Sequence, residues 1–190
     1  DCEASADEDS CSDAKKNYTD IHFALRYTQK NDKNDIGIFV AQETDESFTK
    51  GKNFYALRSK NMVGSRSIGY FLTHVVNNFS NEKATVNVID FSNVKSSKLT
   101  LYTDLLSSKK EGISGFGLRS QFVYKPTQLS RRSGSILYFE DSFNLNDFGY
   151  LKKNDWFHIG FGSDFTKVDF IESSRIKERK IGIDFNYDSD

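Results

Sequence analysis

The sequence has one proline, two cysteines and no apolar run near the roughly 20 residues that a membrane-spanning helix needs. A single proline argues against several rigid linkers, so we expect one domain or one closed β-barrel over these 190 residues. Without a spanning helix, a membrane role is left to a barrel or to attachment at the surface.

The formal charge of −1 offers no basic field, so we predict no nucleic-acid partner. No signal peptide is recognisable; if the protein is exported, we expect this chain to begin after cleavage.

The first 17 residues differ in composition from the rest. They are acidic, have no large apolar side chain and contain both cysteines, Cys2 and Cys11. We predict a loop-like acidic head with a Cys2–Cys11 disulfide, which implies an oxidising compartment; two free thiols are the alternative. Residues 7–9 are acidic, but they lack the ligand spacing of a calcium-binding loop, so we interpret them as solvated side chains rather than as a calcium site. We predict no metal and no cofactor.

From residue 18 onward, apolar and polar residues alternate. The alternation is clearest in "IHFALRYT" (21–28), "SGFGLRSQFVYK" (114–125), "FHIGFG" (157–162) and "KIGIDFNYD" (180–188). Polar breaks such as "KNDKND", "SNVKSS" and "QLSRRSG" separate such runs, and no helical stripe is convincing. This pattern predicts an all-β, antiparallel domain of about ten strands over residues 18–190. We predict that its apolar face contains Ile21, Phe23, Leu25, Phe116, Leu118, Phe157, Ile159, Phe161, Ile181, Ile183 and Phe185.

Two architectures fit the alternation, and they differ in which face is dry. In a soluble β-sandwich or lipocalin-like module the apolar face forms the core. In a transmembrane β-barrel it faces lipid, and the opposite face lines the lumen. Aromatic residues near strand ends and glycines beside long charged side chains favour the barrel, whereas the 28% of charged residues is high for one. The predicted lumen residues are Arg26, Arg58, Arg119, Gln121, His158, Asp164 and Asp184.

A search for catalytic residues finds little. His22, His74 and His158 are far apart in sequence, and "GISGFG" lacks the spacing of a serine nucleophile elbow. His158 and Asp164 could meet across a lumen, but we interpret such a contact as a structural hydrogen bond. We therefore predict that the protein is not an enzyme.

Several stretches are similar to a known family. They are "DIGIFVAQETDESFTKGKNFYALRSKNMVGSRSIGYFLTHV", "VNVIDFSNVKSSKLTLYTDLLSS" and "YFEDSFNLNDFGYLKKNDW". The most specific match is Phe143-Asn144, then 149–151 and a basic pair at 152–153. These resemble the C-terminal barrel part of an uncharacterised family of large bacterial outer-membrane proteins, in which a carbohydrate-binding-like (family nine) β-sandwich precedes the barrel. The family's sandwich has no counterpart here, and the chain ends "NYDSD" rather than on an aromatic residue.

The resemblance implies a Gram-negative outer-membrane location and contact with outer-membrane lipid. We therefore expect a porin-like β-barrel that passes or binds polar solutes, or that belongs to a larger envelope assembly. The chain is then a short relative, a processed fragment, or one part of a larger barrel that another envelope chain completes or caps. The alternative expectation is a secreted or periplasmic soluble ligand-binding β-module.

Overall fold

A computed structural model describes residues 20–45, 51–78, 81–96, 98–145, 154–168, 175 and 177–189. The acidic head, with Cys2 and Cys11, lies outside these residues, so the predicted disulfide stays a prediction. The described part forms ten strands and no α-helix, which confirms the prediction of an all-β chain of about ten strands. The strands are β1 (Ile21–Lys30), β2 (Asn34–Glu43), β3 (Lys52–Val63), β4 (Arg66–Asn77), β5 (Lys83–Ser96), β6 (Leu99–Lys110), β7 (Ile113–Thr127), β8 (Ser130–Phe139), β9 (Trp156–Lys167) and β10 (Arg179–Ser189).

The ten strands form one antiparallel sheet in chain order, so each strand pairs with its neighbours in sequence. Two tight turns explain part of this order. Gly64 and Ser65 connect β3 to β4, and Gly64 has a φ of 59°. Glu111 and Gly112 connect β6 to β7 with φ values of 51° and 87°. Positive φ at the central residues gives the twist that a two-residue hairpin needs.

Several predicted breaks are wrong in part. Most of "SNVKSS" continues β5, which extends to Ser96, and most of "QLSRRSG" belongs to β8, which begins at Ser130. Both stretches are mostly polar in sequence, with Val94 and Leu129 as their apolar residues. Backbone pairing with the neighbouring strands therefore holds them in the sheet without a continuous apolar side.

The pairing register divides the sheet into two faces, because residues directly opposite each other in an antiparallel ladder share a face. We define the apolar face as the side that carries Leu25, Leu105 and Ile183, and the charged face as the side that carries Arg58, Asp90 and Arg119. Within the described strands every carboxylate is on the charged face: Asp35, Glu43, Asp90, Asp104, Asp164, Asp184 and Asp188. On the apolar face, the cations whose side chains are described lie at or near strand ends: Arg66, Lys83, Lys109, Arg132, Lys167 and Arg179.

The two outer strands each have one partner in the described part of the sheet: β1 pairs with β2 and β10 with β9. The sheet is thus open. It is also staggered. A row of directly opposite residues starts at Lys30, the last residue of β1, and crosses the sheet to Asp188, near the end of β10. Consequently β1 lies on one side of this row and nearly all of β10 lies on the other.

The buried apolar residues lie on the charged face, at the end of the sheet where β8 leads into the connection to β9. They are Ala41, Val75, Val86, Phe139 and Phe143. Phe143 is 1% exposed and belongs to no strand: residues 140–145 fold back over β6 and β7. The core is therefore small, and it does not involve the apolar face.

In the described segments, no helix is long and apolar enough to cross a membrane.

Candidate functional site

A row of charged residues crosses the charged face near its middle. We call it the charge row; its members are Lys30, Asp35, Lys60, Asp90, Asp104, Arg119, His158 and Asp188, with Gly69 and Leu137 between them. Cations and carboxylates are mixed along the row. Each opposite-charge contact reduces the cost of removing these groups from water.

Arg58 reaches the charge row from the neighbouring row and forms a two-point ion pair with Asp90. Its Nη2 lies 3.0 Å from Asp90 Oδ2, and its Nη1 donates to Oδ1. These residues are on β3 and β5, so the side chain of Arg58 passes over β4. Gly69 of β4 makes this passage possible: a Cβ there would lie 2.5 Å from Asp90 Oδ1 and 2.7 Å from Arg58 Nη2.

A second ion pair joins β6 to β7. Arg119 Nε donates to Asp104 Oδ2 at 2.7 Å, and its Nη2 contacts the same oxygen. Asp104 is directly opposite Asp90. Two carboxylates facing each other repel, and each is paired with its own arginine on the outer side. The result is one arrangement of four charges across β3 to β7.

His158 connects the charge row to β10. Its Nδ1 lies 2.9 Å from Asp188 Oδ1, and its Nε2 lies 3.4 Å from Ser135 Oγ. Trp156 Nε1 donates to the same Asp188 oxygen at 2.9 Å. The side chain of His158 is 18% exposed and that of Asp188 is 55% exposed, so the imidazole is partly shielded from water and the carboxylate is not.

On β9 and β10, mainly glycines and small polar residues occupy the charged face on the far side of the charge row from the core. A Cβ on Gly162 would lie 2.5 Å from Asp184 Oδ1, and a Cβ on Gly182 would lie 2.7 Å from Asp164 Oδ1. Both carboxylates therefore lie over glycine backbone. Lys180 Nζ is 3.4 Å from Asp164 Oδ1. Along β9 and β10 this part of the face is therefore polar.

In the opposite half of the charged face, residues 140–145 fold over β6 and β7, and we call this segment the strap. The ring of Phe143 stacks on Phe139 with 5.2 Å between centroids. The strap is anchored by Asn144 N, which donates to Ser108 Oγ at 2.9 Å, and by Glu140, whose Oε2 accepts from Phe116 N at 2.8 Å. A Cβ on Gly115 would lie 2.4 Å from the Phe143 backbone, so only glycine allows this approach.

All the predicted lumen residues lie on the charged face. Of these, Arg58 and Arg119 have ion pairs with aspartates that the sequence analysis did not single out, Asp90 and Asp104. His158 contacts Asp188 rather than Asp164. The structure does not bring the seven residues together at one point, because they are spread over β1, β3, β7, β9 and β10. They are Arg26, Arg58, Arg119, Gln121, His158, Asp164 and Asp184.

The predicted lipid-facing residues share the apolar face, with one exception. A register shift between Ile21 and Phe23 pairs Ile21 with Glu43, which belongs to the charged face, so the alternation does not extend to Ile21. The other ten are on the predicted side: Phe23, Leu25, Phe116, Leu118, Phe157, Ile159, Phe161, Ile181, Ile183 and Phe185.

The sequence analysis missed Asp90, Asp104, Asp188, Ser135 and the strap. A signal was present for Asp188, which takes a polar position of the alternating run "KIGIDFNYD", but not for Asp90, which follows Val86 and Val88 at an apolar position of "ATVNVIDF". Partner choice depends on register, which alternation does not give.

Comparison with known protein families, curated proteins and solved structures found no match.

Proposed function

We propose that this protein is a β-barrel of a bacterial outer membrane, with lipid around the apolar face and with the charged face lining a narrow lumen that binds or passes polar solutes. The observation that carries the proposal is the exposure of the apolar face. Ile183 is 73% exposed, Phe23 49% and Phe161 48%. Large apolar side chains are exposed on this face of all ten strands, and a water-exposed patch of that extent is rare in monomeric soluble proteins.

The distribution of charge supports the same proposal. A carboxylate or an arginine facing the bilayer core costs several kcal/mol, whereas a polar lumen accepts both. The described strands keep every carboxylate off the apolar face and place its cations at or near strand ends, where long side chains can reach the polar interface. A sheet that exposed this face to water would have no need to exclude carboxylates from it.

The stagger of the sheet supports closure into a barrel. For ten strands about 4.8 Å apart, a tilt of about 35° needs a stagger of about 34 Å, or about ten residues. Lys30 and Asp188 belong to one row of directly opposite residues across the sheet. A shift of β1 by about ten residues relative to this row therefore places β1 fully alongside β10. In that register Phe23 is opposite Phe185 and Leu25 is opposite Ile183. These two strands are antiparallel, as closure of an even-numbered meander requires.

The soluble alternative predicts a dry core formed by the apolar face. A β-sandwich needs two sheets packed about 10 Å apart, and the described strands belong to one sheet. A soluble barrel would require the sheet to curl the other way, with the ion pairs of Arg58 and Arg119 outside. The strap and the buried Phe143 lie on the charged face, which supports that face as the inner one.

The proposal is tested by the environment of single spin labels in lipid vesicles, with Cys2 and Cys11 replaced by serine. Labels at Phe23, Phe161 and Ile183 should collide frequently with oxygen and rarely with a water-soluble nickel complex. A label at Gln121, on the charged face, is the matched control and should show more nickel access than the other three. If both reagents are excluded from the three apolar positions, they are packed against protein and the membrane proposal fails.

A further inference from the structure

Three side chains on neighbouring strands have the order and contacts of a nucleophile, a base and an orienting acid. Ser135 is on β8, His158 on β9 and Asp188 on β10. We propose that they form a serine esterase site for short-chain carboxylic esters, in which Ser135 is the nucleophile, His158 the general base and Asp188 the residue that orients the histidine.

The hydrogen bonds fix the role of each atom. Because Asp188 Oδ1 lies 2.9 Å from His158 Nδ1, the carboxylate holds the proton of the imidazole on Nδ1. His158 Nε2 is then an acceptor, and it lies 3.4 Å from Ser135 Oγ. This separation is longer than a tight hydrogen bond, as is common for such pairs before a substrate binds.

A second contact fixes the orienting carboxylate. The indole Nε1 of Trp156 donates to Asp188 Oδ1 at 2.9 Å. Trp156 and His158 are two residues apart on β9, and their ring centroids are 6.0 Å apart. The carboxylate is thus held by two donors from one strand, which restricts the tilt of the imidazole.

Gly160 leaves an open space next to the nucleophile. It is directly opposite both Ser135 and Asn186. A Cβ on Gly160 would lie 2.9 Å from Ser135 Oγ, 3.1 Å from His158 Nε2 and 2.8 Å from Asn186 Oδ1. Three polar side chains therefore converge on a position with no side chain of its own.

A groove of about 220 Å³ opens on this space and is lined by Gln121, Arg131, Ser135, Gly160 and Asn186. This volume is sufficient for a short acyl group. A half-turn of the Asn186 carboxamide would direct its Nδ2 toward the space over Gly160, where it can donate to a developing oxyanion.

The reaction is balanced with water as the only co-reactant. Ser135 Oγ attacks the ester carbonyl carbon while His158 Nε2 takes the hydroxyl proton. The bond between the carbonyl carbon and the alkoxy oxygen breaks, and the alcohol leaves with that proton. Water then attacks the acyl-serine and gives a proton to His158, the bond to Oγ breaks, and Oγ regains the proton. The products are one carboxylic acid and one alcohol.

The test is covalent labelling of the folded full chain with a fluorophosphonate, together with hydrolysis of p-nitrophenyl acetate. The wild-type protein should be labelled on Ser135, located by peptide mass. Ser135→Ala and His158→Gln should each lower the hydrolysis rate by about a hundredfold or more. Ser92→Ala is the matched control; Ser92 also lies on the charged face, bonded to Ser67 with no histidine contact, and this variant should keep the rate and the label.

A positioning role for Asp188 has its own readout. Asp188→Asn should lower the hydrolysis rate at least about tenfold with KM unchanged, because the amide no longer holds the imidazole in the reactive tautomer. Absence of label on the wild-type protein, or equal labelling of Ser135→Ala, overturns the proposal. Neither result depends on the spin-label experiment, so this proposal and the membrane proposal can fail separately.

Discussion

Gly69 determines whether Arg58 and Asp90 can meet. The two charged residues are on strands that do not pair with each other, and any side chain on the strand between them would block the contact. At this position the absence of a side chain is the structural requirement. The same principle applies at Gly115, where the strap backbone takes the place of a side chain.

Replacement of Gly69 by alanine should lower the free energy of unfolding by about 1–3 kcal/mol, because the new methyl group separates a partly buried ion pair. Gly37→Ala is the matched control, since its Cβ would meet only Arg58 Cβ, at an ordinary 3.6 Å. Urea titration of both variants in detergent micelles, followed by circular dichroism, measures the difference. An equal effect of the two substitutions would show that the ion pair does not depend on Gly69.

At the scale of strands, alternation predicted β1, β7, β9 and β10, and it assigned the faces of the predicted site residues in these strands, with the exception of Ile21. It did not predict which residues meet. His158 contacts Asp188 because the register of the β9–β10 pair places them opposite each other, while Asp164 is opposite Gly182. The sequence does not predict this register, because the connection 168–178 contains no tight-turn motif that would fix how β9 and β10 pair. The strap was missed because Phe143 was read as part of a motif rather than as a core residue.

The strap should contribute more to stability than any one exposed side chain. Phe143 is buried against Phe139 and the glycines of β7, so Phe143→Ala should cost about 3–5 kcal/mol of unfolding free energy. Phe143→Leu keeps most of the apolar volume and should cost less than about 1.5 kcal/mol. Urea unfolding of the two variants measures both losses of unfolding free energy. Similar small losses for both would mean that the strap is not packed as described.

At the scale of the whole molecule, the two faces should differ in their response to the same charge. Leu105→Arg places a cation on the apolar face, midway along β6, and should destabilise the protein in lipid vesicles by about 2–4 kcal/mol. Gln121→Arg adds the same side chain to the charged face, beside existing polar groups, and should cost clearly less. Folding titrations in vesicles compare the two. Equal costs would contradict the assignment of the apolar face to lipid.

The stagger also predicts which residues meet if β1 and β10 pair. In a background without Cys2 and Cys11, Leu25→Cys with Ile183→Cys should form a disulfide on mild oxidation, because directly opposite Cα atoms lie about 4.5–5.5 Å apart. Leu25→Cys with Ser189→Cys is the control, six residues out of this register, and should remain reduced. Peptide masses and gel mobility separate a bond within one chain from a bond between two chains. A bond between chains would mean that a partner completes the sheet.

The order of the sheet has a consequence for the rate of folding. Every observed pairing joins strands that are consecutive in the chain, so each hairpin can form from local contacts and extend the one before it. The proposed β1–β10 pairing is different, since it joins the two ends of the domain and requires closure of nearly the whole chain. Loop-closure entropy rises with the length of the loop. We therefore expect fast growth of the sheet followed by one slow final step, during which both outer strands are exposed to pairing with other chains.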